Sequence, residues 1–485
     1  MSTRSLVTTY GKPFKTLPEQ VGLLRSRGLA IADESAARAR LLAIGYYRLS
    51  GYWYIFREHA ADYGPIREHD ALRGDFFVDG TTFDQVVDLY EFDRRLRLIV
   101  LDGIERVEVA LRMRLGYVLG ETGAFAHLDP AALEPSFTGF DEHRPIESRS
   151  HWLGSEHVKW LSRVRAEEDR SREDFVAHFK ARYGLPLPIW VVTELLTFGS
   201  LVTLVRGTKR LQKNSIAELF GVFDADCDGD GAALVSWIAN LAYVRNICAH
   251  HGRLWNRNMV EQLGRLDGVP DLAHAAGPAP KSRIYSSLAV LAFLTAQLDP
   301  ASTWRRQAFE LVTVDFRKLG LPDSHLGCPK GWAAEALWSP SYVPPADPLS
   351  KEQRDTLRHF ECMSTAEVGL VVDTSDVPKR RASAVRYLRS RDELIGLRVG
   401  GTYRFPSFQL DVDGGQVHPV VRRINVVLKA NARPWEAAGW WITANPGIGG
   451  AMPVALVRSP DASLIAAAEI VDSTGMRTTA GAFLS

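Results

Sequence analysis

The chain has 485 residues, beyond the size at which one hydrophobic core stops growing, so two or more domains are expected. Lys and Arg number 58 against 57 Asp and Glu, which excludes a uniformly polybasic nucleic-acid coat and leaves only local basic patches. The four cysteines, Cys227, Cys248, Cys328 and Cys362, are too scattered for a disulfide framework or a C-x-x-C metal site, and a reduced cytoplasm fits them best.

The first residues lack the apolar run of a secretory signal, so no export is expected. Helical spacing begins at Glu34–Ile44. It is followed by Tyr46, Tyr47, Tyr52, Trp53, Tyr54 and Phe56, an aromatic stripe that can stack bases but reads first as core. From Thr81 to Glu121 apolar residues recur at intervals of three and four, predicting one long or kinked amphipathic helix. Asp93, Arg94, Arg95, Glu105, Arg106 and Glu108 form its charged face, with Glu105 or Arg112 turned toward a cleft as the other reading.

Further helices are predicted at Asp174–Tyr183, Ile189–Arg206, Ser215–Phe220, Ala232–Ala249, Ser282–Leu298 and Thr303–Leu319, with strand-like alternation almost absent before residue 320. The most apolar window, Pro188–Val205, is interrupted by Glu194 and by Ser and Thr residues. It reads as a buried core helix and not as a membrane span. Asp224, Asp226, Asp228 and Asp230 alternate like a calcium loop but lack its terminal Glu, so a solvated acidic turn is expected and no metal site.

Arg245-Asn246-Ile247-Cys248-Ala249-His250-His251 closes the helix that starts near Ala232. An Arg followed five residues later by a His arises by chance roughly once in a chain of this composition. Arg354 and His359 are a second instance. Context separates the two pairs, because the first ends an apolar helix and leads into His251, Arg253, Asn256 and Arg257, a basic cluster suited to phosphate. Positions five apart diverge by about 140° on an ideal helix, whereas Asn246 and His250 share a face. Arg245 and His250 are therefore expected to need a second helix or subunit to converge. The competing reading of His250 is a helix-terminal residue satisfying the last carbonyls.

Several blocks together resemble the Abi-like (AbiD/AbiF) abortive-infection family of the HEPN superfamily, over about residues 10–320. They are K-P-F-K-T-L-P-E-Q-V-G-L-L-R-S-R-G-L (Lys12–Leu29), R-L-L-A-I-G-Y-Y-R-L-S-G-Y-W-Y-I-F (Arg40–Phe56), F-D-Q-V-V-D-L-Y-E-F-D-R-R-L-R (Phe83–Arg97), I-E-R-V-E-V-A-L-R (Ile104–Arg112), L-P-I-W-V-V-T-E-L-L-T-F-G-S-L (Leu187–Leu201) and V-R-N-I-C-A-H-H-G-R-L-W-N-R (Val244–Arg257). The resemblance implies a metal-independent ribonuclease without cofactors, commonly a homodimer. In it Arg245 stabilises the transition state, His250 moves protons, and Asn246 orients His250 or touches phosphate. His251, Arg253 and Arg257 are the RNA-binding candidates.

The fold class expected is mainly α: a HEPN-like helical domain over 1–326, a Pro-rich linker over 327–350, and a smaller α+β module over 351–485. In that module a short apolar helix, a polar turn and a basic helix suggest a helix-turn-helix within 360–405, and Gly400-Gly401 is a hairpin turn between two strands. Lys379, Arg380, Arg381, Arg386 and Arg389 are the DNA-binding candidates, against the reading of a solvated basic helix. Residues 405–460, with F-P-S-F-Q-L-D, P-W-E-A-A-G-W-W-I-T-A-N-P and G-G-A-M-P-V-A-L, resemble the toxin-binding domain of Xre/MbcA/ParS-type antitoxins. That implies a toxin or antitoxin partner and a DNA operator. Two function classes stand side by side: an RNA-cleaving abortive-infection or toxin-system enzyme, or a non-catalytic regulator that binds DNA or a toxin.

Overall fold

The molecule is described by a computed structural model covering residues 11, 13–59, 73–139, 155–225, 227–399, 402–458 and 462–474. Helices α1 (Leu17–Ser26), α2 (Glu34–Ile44) and α3 (Tyr46–Trp53) precede a short antiparallel ribbon, β1 (Arg57–His59) with β2 (Arg73–Phe77). That ribbon was not apparent in the sequence. Next comes α4, Phe83–Thr122, a single helix of 40 residues that opens with a reciprocal capping box. Thr82 Oγ1 accepts the Gln85 N–H at 3.1 Å, and Gln85 Oε1 accepts the Thr82 N–H at 3.0 Å.

Val86, Leu89, Leu96, Val100, Ile104, Val107, Leu111 and Leu115 of α4 are all buried, and this stripe is the axis on which the other helices pack. They are α5 (Glu156–Arg170), α6 (Asp174–Tyr183), α7 (Ile189–Leu195), α8 (Phe198–Gly207), α9 (Arg210–Leu219), α10 (Gly231–Ala249), α11 (Tyr285–Leu298) and α12 (Trp304–Glu310). Of these, α7, α8, α9, α10, α11 and α12 touch α4 directly. Gly103 lies mid-helix because the Trp304 ring covers it. An added Cβ would sit 2.7 Å from that ring, whose Nε1 donates to the Ile99 carbonyl at 2.8 Å.

The predicted helix over 189–206 is two helices, broken at Leu196–Thr197, where Thr197 Oγ1 caps α8 by accepting from Ser200 N–H. Among the described residues, Gly231–Ala249 is long and apolar enough to cross a membrane by length and composition, and 56% of it is buried in the protein. The stretch predicted over 303–319 starts as α12 and continues as a π-helical turn over Leu311–Phe316.

The chain divides into two units, one of Met1–Val222 with Asp230–Pro345 and one of Phe223–Gly229 with Ala346–Ser485. Part of the span expected to be a linker is packed. Trp332 and Trp338 are buried, stand at right angles 5.5 Å apart, and both contact Tyr285, whose hydroxyl accepts from Trp338 Nε1 at 3.0 Å. Proline bars helix there, but large aromatic side chains still bury without one.

The second unit contains α13 (Lys351–Arg358), α14 (Thr365–Val372), α15 (Pro378–Ser390), α16 (Pro419–Val427), α17 (Pro434–Ile442) and α18 (Ala462–Thr474). Strands β3 (Cys362–Met363), β4 (Leu397–Val399) and β5 (Thr402–Pro406) form an antiparallel sheet in the order β3-β5-β4, and β6 (Leu410–Asp411) pairs with β7 (Gln416–Val417). Val399 opposes Thr402, so the predicted hairpin is present, while Gly400 and Gly401 themselves lie outside the described residues, as do Lys12 and Asp226. A buried polar chain ties the module together: Gln409 Oε1 accepts from Ile395 N–H and from Asn425 Nδ2, and Asn425 Oδ1 accepts from Trp441 Nε1.

One buried group in the first unit makes stability depend on pH. His127 is 1% exposed, and burial, aided by the nearby His157, lowers its pKa from 6.5 to about 4. The unfolded chain therefore binds a proton that the native state refuses, and stability present above pH 6.5 is lost as pH falls toward 4. The contribution is about 3 kcal/mol. Chemical denaturation of His127→Phe across that window is expected to show a shallower fall than the parent; an unchanged slope would refute the assignment.

Candidate active site

The expected site residues lie at the C-terminal end of α10. Asp230 caps the start of this helix, accepting the Ala233 N–H at 2.9 Å, and Leu234, Trp237, Ile238, Leu241, Val244 and Ile247 bury its inner faces. These anchors leave Arg245 half-buried and Asn246 and His250 exposed. Arg245 Nη1 donates to Asn246 Oδ1 at 3.2 Å. The guanidinium is thereby drawn toward the face that Asn246 shares with His250, four residues further along.

His250 is the helix C-cap, its backbone N–H donating to the Asn246 carbonyl at 3.0 Å while its side chain stays exposed. The chain then leaves by a Schellman turn: Gly252 N–H bonds Ile247 O at 2.8 Å and His251 N–H bonds Cys248 O at 3.0 Å. His251 occupies the left-handed position, φ 56°, that glycine usually takes. Arg48 of α3 locks it there by donating to the His251 carbonyl at 2.6 Å. Cys248 points inward, and burial, together with Asp93, pushes its thiol pKa up to about 12, so it is neither nucleophile nor acid near neutrality.

Beneath the turn lies a network centred on Asp93, a residue expected on the charged face of α4. Asp93 is fully buried and Arg97 nearly so, and the two form an ion pair. Asp93 also accepts from Tyr52 Oη at 2.7 Å and, through Oδ1, from the backbone N–H groups of Leu254 at 3.1 Å and Trp255 at 2.7 Å. Burial pushes the Asp93 carboxyl above the usual carboxylate range, against the pull of Arg97, Tyr52 and the two amides. Its position was in principle readable, because Asp93 and Arg97 fall in phase with the apolar stripe of α4.

The rest of that expected face is on the surface or structural. Arg94 pairs with Glu91, Arg95 with Asp315 and Arg106 with Asp102, and Glu105 is exposed. Arg112 pairs with Glu108 and donates to the Thr193 and Glu194 carbonyls at the end of α7.

The three RNA-binding candidates differ in place. His251 is exposed; Arg253 donates to the Gly51 carbonyl of α3 at 2.6 Å; Arg257 folds back beside Gly252. Arg283, which carried no signal in the sequence, joins them: it donates to Asn256 Oδ1 at 3.1 Å, and burial, then the charge of Arg253, lowers its pKa. The turn after α10 is thus ringed by Arg48, Arg245, Arg253, Arg257 and Arg283, a field that favours a phosphate.

In the second unit the rival pair is occupied. Arg354 is buried against Asp347 and its guanidinium lies 5.0 Å from the Phe223 ring, while His359 Nδ1 meets the Asp355 carbonyl. Asp224 and Asp228 of the acidic turn belong to this unit, where Asp228 pairs with Arg404 and Asp224 accepts the Asp228 N–H, whereas Asp230 belongs to the first. Of the basic candidates on α15, Lys379, Arg380 and Arg386 are exposed and Arg381 is half-buried against Gly369 of α14. Arg389 stacks 3.9 Å over the Tyr403 ring.

No curated protein and no solved structure matches the chain. The sequence model of Abi-like proteins matches residues 39–256, a narrower span than the resemblance over 10–320. It takes in α3, α4 and α10 and ends on Asn256, one residue past the Asp93 contacts. Residues 39–256 of this chain are therefore similar to Abi-like proteins.

Proposed function

We propose that the chain is a metal-independent endoribonuclease of a bacterial abortive-infection or toxin–antitoxin system, acting as a homodimer. The observation that carries this reading is the Arg245–Asn246–His250 face, exposed at Asn246 and His250, held at the end of a buried helix and surrounded by arginines. In the reaction the ribose 2′-OH attacks the adjacent phosphorus and the 5′-oxygen leaves, giving a 2′,3′-cyclic phosphate and a 5′-hydroxyl. His250 takes the 2′ proton or returns one to the 5′-oxygen, and Arg245 steadies the charge on the phosphorane. Two-fold pairing supplies a second Arg–His set to divide those proton roles. The test is RNA cleavage in EDTA by the parent and by His250→Ala.

A second reading, a DNA- or toxin-binding regulator, is favoured by the exposed basic face of α15, and the two combine if the second unit controls the first. Lys379, Arg380 and Arg386 stand clear of packing, whereas Arg389 is spent on Tyr403. If α15 contacts DNA phosphates, removing each of the three is expected to flatten the dependence of log affinity on log salt by about one unit. Arg389→Ala should leave that slope alone. A slope unchanged by Lys379→Ala, Arg380→Ala and Arg386→Ala would reduce the helix to a solvated face.

A further inference from the structure

The aromatic stripe after α2 does not behave as one group. Tyr52 and Trp53 are buried, Tyr46 packs edge-on against Trp53 at 4.9 Å, and Phe56 lies against the core. Tyr47 is 91% exposed, the most exposed large hydrophobic side chain among the described residues. Packing therefore accounts for its neighbours and leaves its ring without a structural use.

Its place on α3 supplies one. Arg48 reaches across to the His251 carbonyl at 2.6 Å, and the Gly51 carbonyl receives Arg253 at 2.6 Å, so this side of α3 is stitched to the turn that follows His250. Tyr47 lies one turn before Gly51, about 40° away around the helix, and so stands on the same edge. A flat apolar ring beside several fixed cations matches an unpaired nucleotide, whose base stacks while its phosphate meets the positive field. A protein partner of ordinary surface charge would gain nothing from those arginines.

We propose that Tyr47 is a stacking platform for one unpaired nucleobase of a single-stranded RNA, adjacent to the Arg245–His250 site. The inference rests on the RNA-cleaving reading and names the form of its substrate: single-stranded, with a base free to leave its neighbours. A duplex keeps its bases paired and offers Tyr47 no face.

The test uses the full chain carrying His250→Ala, so that bound RNA is not consumed, and a short single strand with 2-aminopurine at successive positions. Tyr47 should quench one position, and Tyr47→Ala in that background should abolish the quenching and weaken binding roughly 10-fold. Tyr47→Trp should restore both, and a duplex of the same sequence should bind equally to all three. Equal loss on single strand and duplex, no loss, or no binding of the single strand would overturn the proposal. So would a Tyr47→Ala chain whose sedimentation changes while RNA binding does not, since the ring would then serve a protein interface. Failure of the catalytic reading shows separately, as cleavage by His250→Ala at the parent rate, and the quenching is then read on a strand with methylated 2′-oxygens, which has no 2′-OH to attack its phosphates.

Discussion

His250→Ala is expected to slow RNA cleavage in EDTA by about 10²–10⁴-fold, the usual worth of a positioned proton-transfer group. The structure makes the substitution clean. The His250 side chain is exposed, its backbone alone caps α10, and alanine keeps both the N–H and the turn. Folding should therefore be intact while rate collapses. Arg245→Ala should cost a comparable factor, about 10²–10³, by removing charge stabilisation at the phosphorane, and Arg245→Lys should recover only part of it because an ammonium lacks the planar fork. Accumulation of 2′,3′-cyclic phosphate ends marks the route. Cleavage by His250→Ala at the parent rate, with the same product ends, would remove the site from α10.

Asp93→Ala is expected to destabilise the first unit by about 3–5 kcal/mol, because it leaves the Arg97 guanidinium buried without its counter-charge. It also strips the acceptor from Tyr52 Oη and from the Leu254 and Trp255 amides. Chemical denaturation measures the loss, and hydrogen exchange at Leu254 and Trp255 should rise more than elsewhere in the unit. Combining Asp93→Asn with Arg97→Met should recover much of the stability, since neither partner is then a stranded charge. A loss under about 1 kcal/mol for Asp93→Ala would mean that the turn after α10 is held by other contacts, chiefly Arg48 and Arg253.

Much of the fold was legible because periodicity is a local property. The apolar residues of α4 recur at three and four from Phe83 onward, and Glu34–Ile44 and Asp174–Tyr183 appear with the bounds their spacing indicates. The break at Leu196–Thr197 was less visible, since an apolar run continues across it and only the Thr197 cap interrupts it. Trp332 and Trp338 were lost behind the prolines around them: the sequence shows what cannot be helix there, and says little about which side chains are buried.

The same division runs through the site. By itself the sequence determined that the region is helical, that an apolar helix ends in Arg245, Asn246 and His250, and that basic residues follow, because residue type and spacing along one helix need no partner to be read. Only the tertiary structure decided that Arg245 reaches Asn246, that Asp93 is a buried anchor and not a surface charge, and that Arg48 and Arg283 join the turn from distant segments. The sorting of the tyrosines, with Tyr52 inside and Tyr47 outside, belongs with these. A side chain's burial depends on what the rest of the chain packs against it, and its charge is worth little or much according to how far that packing excludes water.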